Sequence, residues 1–181
     1  MDQTTNALLG ISKTLADVVG PAIRADDPLA QQELRMAIRY LDFLRVRVEH
    51  LHARARYELQ FHTDLARRVS GLLGASPTGE AMAGAAAGGE TVLTTPGATL
   101  DEVRQRSGLL VARLTEVVRD EPDAEVRAAV EKAVVAASER MTAFERSWYL
   151  PMGLDHFPFE VAPVESFLSQ AGRHDTDDAG A

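Results

Sequence analysis

The sequence predicts an all-α protein, an elongated up-and-down bundle of about four helices built around one very long helix. Three observations carry this. From Pro28 to Ser70 there is no glycine and no second proline, and the run keeps helical spacing from end to end. Two later segments repeat that spacing behind clear start signals. No segment reads as a credible strand; TVLTT, at 91–95, is too short and stands alone. At 1.5 Å per residue the long run would span roughly 65 Å, against a mean helix of about 11–12 residues. The rest of a small chain must lie alongside it or leave it for a partner.

The first helix starts after Thr4 or Thr5, either of which can cap it with a hydroxyl. Leu8, Ile11, Leu15, Val18 and Val19 recur at helical spacing, and Gly20-Pro21 ends or kinks it. The long helix, about 28–72, follows Asp27 as N-cap, with Pro28 at the first position, where its missing N–H costs nothing. Gly71 or Gly74 stops it. A heptad-like seam runs through Leu34, Ile38, Leu41, Leu44, Val48, Leu51, Ala55, Leu59, His62, Leu65, Val69 and Leu72. Met36, Tyr40, Phe43, Tyr57 and Phe61 form a second stripe away from that seam. A helix with two stripes is either central or carries an interface.

Residues 75–98 are rich in Gly, Ala, Thr and Pro with few large apolar side chains, and are expected to be a flexible linker. Thr99 and Glu102 form a capping box that opens the third helix, with Val103, Leu110, Val111, Leu114, Val117 and Val118 as its apolar residues. The fourth helix runs from about Asp123 to Leu150 on a seam of Val126, Val130, Ala133, Ala137, Met141, Phe144 and Trp148, and Pro151 stops it. Beyond it Phe157, Phe159, Val161, Val164, Phe167 and Leu168 lie on an irregular segment expected to pack back onto the bundle. The 181 residues are read as one domain, 1–170, with 171–181 a disordered tail.

Composition narrows the chemistry. The net charge of −8 argues against nucleic-acid or anionic-membrane binding, because such a surface repels phosphate. Without cysteine there is no disulfide, thiolate catalysis or thiolate metal site. The N-terminus lacks the basic region of a signal peptide, and no stretch reaches the ~18–20 apolar residues of a membrane span. The expected location is the cytoplasm.

Glu49 and His52 make a Glu-x-x-His half-motif of the kind used in di-iron bundles. Such a site needs the motif twice plus two more acids, and the fourth helix has no histidine, so no metal or cofactor is expected. His62 sits in the main seam with Glu58 one turn earlier, a packing position more than a catalytic one. Residues 28–73 hold eight arginines against five acids, a local +3 in an acidic chain. These arginines are expected to pair with Glu102, Glu116, Glu131, Glu139 and Glu145 across the bundle. The sharper alternative is an anion site at Arg47, His50 and Arg54. The aromatic stripe has three readings: covered by the first helix, linker or tail; a homo-oligomer interface; or an apolar ligand groove.

The sequence names no substrate or pathway. Its leading expectation is a non-enzymatic interaction or scaffold protein that self-associates, as a dimer, with another protein as a further conceivable partner. The alternative is a small-molecule-binding or enzymatic bundle whose pocket draws on Tyr40, Phe43, Arg47, His50, Tyr57, Glu58 and His62.

Overall fold

Helix ends fall where capping residues can satisfy the four amides and four carbonyls that every helix leaves unpaired. A computed structural model describes residues 3–169, and every regular element among them is helical. The order is α1 (Gln3–Thr14), a π turn (Leu15–Val19), α2 (Gly20–Ala22), α3 (Pro28–Arg47), a 3-10 turn (Val48–His50), α4 (Leu51–Leu73), α5 (Pro77–Thr94), α6 (Leu100–Asp120), α7 (Ala124–Tyr149) and α8 (Val164–Leu168), with 3-10 turns at Leu150–Met152 and Pro158–Glu160. The tail expected at 171–181 lies outside the described residues.

The long helix is present as α3 and α4, joined without a break by the 3-10 turn. The Asp27 carboxylate accepts from the Ala30 amide at 2.9 Å, and Gly74, at φ 61°, ends the run. Thr99 and Glu102 close their capping box at the start of α6. Asp123 accepts from the amides of Glu125 and Val126 at the start of α7. Near Pro21 the helix does not simply stop. It widens into the π turn first, which relieves the clash between a proline ring and the carbonyl four residues back.

Residues 75–98 are not a flexible linker. Most of that segment is the 18-residue helix α5. Ser76 caps it, accepting from the Gly79 amide at 3.0 Å, and Pro77 takes the first position. Its buried residues are Gly79, Met82, Ala86, Gly89 and Leu93, spaced alternately three and four apart. Low complexity here is a seam of small side chains, and it allows close approach. A β-carbon added at Gly89 would lie 2.2 Å from Thr63 Oγ1, and one at Gly79 would lie 2.2 Å from the Gly74 carbonyl oxygen.

The chain divides into two compact units, each considered by itself. The described residues of Met1–Leu51 and Arg146–Val161 form the first; those of His52–Glu145 and Ala162–Ala181 form the second. In the first unit α1 packs along α3, tied by a 3.3 Å hydrogen bond from Ser12 Oγ to Asp42. On another side of α3, Phe43 stacks on Tyr149 and meets the edge of Trp148, with ring centres 5.5 and 6.5 Å away. Arg146 grips Asp155 through two hydrogen bonds, and Asp155 also accepts from the Phe157 amide, so its carboxyl is held down to about 2. That locked turn leaves Phe157 and Phe159 exposed, contrary to the expectation that they pack back.

In the second unit α4 is the central element. One side enters an aliphatic core shared with α5, α6 and α7, including Leu59, Val69, Met82, Val103, Leu110 and Val130. Another side presents Tyr57 to Phe144 of α7, 4.2 Å between ring centres, and to Phe167 of α8. Of the segment expected to pack back, Val164 is buried, Phe167 packs on Phe144, and Val161 and Leu168 are half-buried.

Thr63 Oγ1 is fully buried and makes no hydrogen bond among the described residues, so its close neighbour Gly89 is held by shape alone. Gly89→Ala should destabilise the protein by about 1–2 kcal/mol, because overpacking outweighs alanine's better helix propensity. In a Thr63→Ala background the same change should be neutral or stabilising. Urea unfolding of the four proteins measures this, and equal losses in both backgrounds would refute the contact.

Candidate functional site

An arginine buried beside a helix end can do two things: bind an anion, or bond the carbonyls the helix leaves free. Arg47 does the second. Its Nε donates to the Trp148 carbonyl at 2.9 Å and its Nη2 to the Ser147 carbonyl at 3.0 Å, in the last residues of α7. Its guanidinium also lies 5.2 Å from the Trp148 ring centre. Phe43 packs beside it, 4% exposed, whereas Tyr40 is 52% exposed on the same helix. His50 is half-buried in the 3-10 turn. These four expected site residues belong to the first unit, and there Phe43 and Arg47 are structural.

Tyr57, Glu58 and His62 belong to the second unit. Tyr57 is core: its ring is buried, and its hydroxyl accepts from Arg140 Nε at 3.2 Å. Arg54 lies between Glu58, at 2.6 Å, and Glu145, at 2.8 Å. Burial, and then the Glu58 charge, hold the Glu145 carboxyl above its ordinary range against the pull of Arg54. The Arg54–Glu145 pair is of the cross-helix kind expected from the arginines, and Arg67 makes another with Glu90 of α5, an acid outside the expected set. Glu102 is used in the capping box, and Glu116 pairs with Arg113 on its own helix. Arg56 bonds the Leu93 carbonyl at the end of α5.

His62 is the expected site residue that reaches an opening. Its Nδ1 lies 2.7 Å from Ser107 Oγ of α6. Burial lowers its pKa below the ordinary 6.5, partly opposed by Glu58, so the ring is neutral near pH 7. Beside it α4, α6 and α7 enclose an open apolar groove of about 760 Å³, walled by Phe61, Leu65, Val111, Leu114, Val118, Val134 and Met141. Sequence reading named His62 but missed the walls. The signal was there: Val111 and Val118 fall seven residues apart and off the buried line of Val103, Leu110, Leu114 and Val117. A smaller cleft of about 360 Å³ lies between α5 and α6, where Arg113, Glu116 and Asp120 give it mixed charge.

His52, the histidine of the half-motif, bonds the Ala98 carbonyl at 2.9 Å, and among the described residues no group of His, Asp and Glu is placed to hold a metal ion. No described helix is long and apolar enough to cross a membrane. No family model, curated protein or solved structure matches the chain.

Two outcomes test these assignments. Arg47→Lys keeps the charge but loses the planar fork, and should cost about 1–2 kcal/mol, read from the fluorescence of the single tryptophan, Trp148, during unfolding. For His62 the unfolded chain takes up a proton at higher pH than the folded one. Stability should therefore fall as pH drops from about 6.5 toward the depressed folded value. The drop in urea midpoint between pH 7.5 and 5.5 should be smaller in His62→Gln than in the parent; an equal drop would show that His62 is not the cause.

Proposed function

We propose that this chain is a non-enzymatic helical interaction protein that self-associates as a dimer, with the open face of α3 as the contact. The observation that carries this is a half-covered stripe. At 100° per residue, Leu29, Met36, Tyr40, Phe43 and Arg47 share one side of α3 within about 60°. The last residues of α7 cover Phe43 and Arg47. Leu29, Met36 and Tyr40 remain 65%, 38% and 52% exposed. Ile11 of α1 and Val18 of the π turn are exposed as well. Methionine and tyrosine are favoured at interface centres, and large apolar side chains gathered on one helix face mark contact sites more often than bare surface.

A second copy fits this face better than an unrelated partner. Among its described residues the first unit buries few apolar side chains of its own: Phe43, Trp148 and Met152. Pairing like patches gives both copies the same burial, as a two-fold dimer requires. A stable dimer needs about 800 Å² per partner, and a buried tyrosine alone supplies about 150–250 Å² of that scale.

Light scattering on the full chain at micromolar concentration tests this. The expected mass is twice 19.6 kDa. Leu29→Glu with Tyr40→Glu should give the monomer mass with unchanged helicity, since both positions are exposed. A monomeric parent would sink the proposal.

A further inference from the structure

We propose that the groove of the second unit binds an uncharged, largely apolar carbonyl compound, whose oxygen accepts a hydrogen bond from His62 Nε2. The size is right, since small-molecule sites typically occupy about 300–1,000 Å³ and this one is about 760 Å³. The polar side chains around it are mostly turned elsewhere. Thr115 Oγ1 donates to the Val111 carbonyl at 2.8 Å, and Ser138 Oγ donates to the Val134 carbonyl at 2.9 Å. Arg119 is held by Asp120 through two bonds of 2.7 Å. Thr142 is exposed.

His62 is the exception. Its ring bonds Ser107 through Nδ1, and among the described residues Nε2 has no hydrogen-bond partner. A serine hydroxyl can donate to Nδ1 or accept from it; in the proposed binding state Ser107 donates to Nδ1 and the ring proton resides on Nε2. Nε2 is then a donor in an apolar wall and calls for an acceptor on the ligand. With Arg119 paired to Asp120 and the histidine neutral, no unpaired cation among the described residues lines the groove, and burying an ionised carboxylate there would be costly. Residues 170–181 (QAGRHDTDDAGA) are poor occupants, because they carry no large apolar side chain.

Three probes of one shape test this: 2-acetylnaphthalene, 2-ethylnaphthalene without the oxygen, and ionised 2-naphthoate. Each is titrated into the full chain and followed by amide and imidazole chemical shifts. The ketone should bind saturably about tenfold more tightly than the hydrocarbon, and more tightly than the carboxylate. Its shifts should centre on His62, Val111, Val118 and Val134. His62→Phe should abolish the preference for ketone over hydrocarbon, and Val134→Trp, which fills the groove from an only half-buried position, should weaken both. If His62→Phe fails to fold, Val134→Trp with the parent shifts still decides the site. No saturable binding, shifts centred elsewhere, tightest binding of the naphthoate, or a ketone preference that survives in His62→Phe would each overturn the proposal.

Discussion

A helix that is apolar on two sides must be covered on two sides, and much of the chain answers to that constraint. From Pro28 to Leu73 the backbone never leaves the helical region, so its aliphatic seam and its aromatic stripe are fixed in direction by the sequence. In the first unit α1 lies against the helix, and the end of α7 brings Trp148 and Tyr149 to Phe43. In the second, α5, α6 and α7 share the aliphatic core, while Phe144 and Phe167 close over Tyr57. Aromatic rings suit the second role because each covers a large area with few freely rotating bonds.

The basic character of the long helix has a related cause. Its arginines serve carbonyls near helix ends as well as cross-helix charge pairs, Arg54 with Glu145 and Arg67 with Glu90. Arg47 bonds the last carbonyls of α7, and Arg56 reaches Leu93 at the end of α5. A guanidinium is matched to this work, since it has several donors in one plane and complements the negative end of a helix dipole. His52 makes the same kind of contact to the Ala98 carbonyl. Positive charge at Arg47, Arg56 and Arg67 therefore ties neighbouring segments to this helix.

What the sequence makes legible is what neighbouring residues decide among themselves. Asp27-Pro28 and Thr99–Glu102 work within one turn, so the helix starts could be read from them directly. The α7 seam followed from spacing: Val130, Ala133, Phe144 and Trp148 are all buried. The failures are non-local. Glycine lowers helix propensity, and judged on that alone α5 is a linker; it is a helix because Gly79 and Gly89 sit where a β-carbon would strike Gly74 and Thr63. The groove is likewise a product of three helices, and His62 gave it away only because a polar ring on an apolar seam draws notice. Tyr40 and Tyr57 are of one residue type on one stripe, yet one is exposed and the other buried, a difference set by segments about a hundred residues away.

The small-residue seam of α5 also has a consequence in time. Four glycines in 18 residues cost an isolated helix about 4 kcal/mol relative to alanine, so this segment has little helicity to offer before its neighbours are in place. Its helix is a product of docking, formed after α4 and α6 have made the surface that Gly79, Met82, Ala86, Gly89 and Leu93 enter. On the way back the order reverses: the amides of α5 are expected to open to solvent exchange before those of α4 and α6, as a local excursion from a core that stays closed.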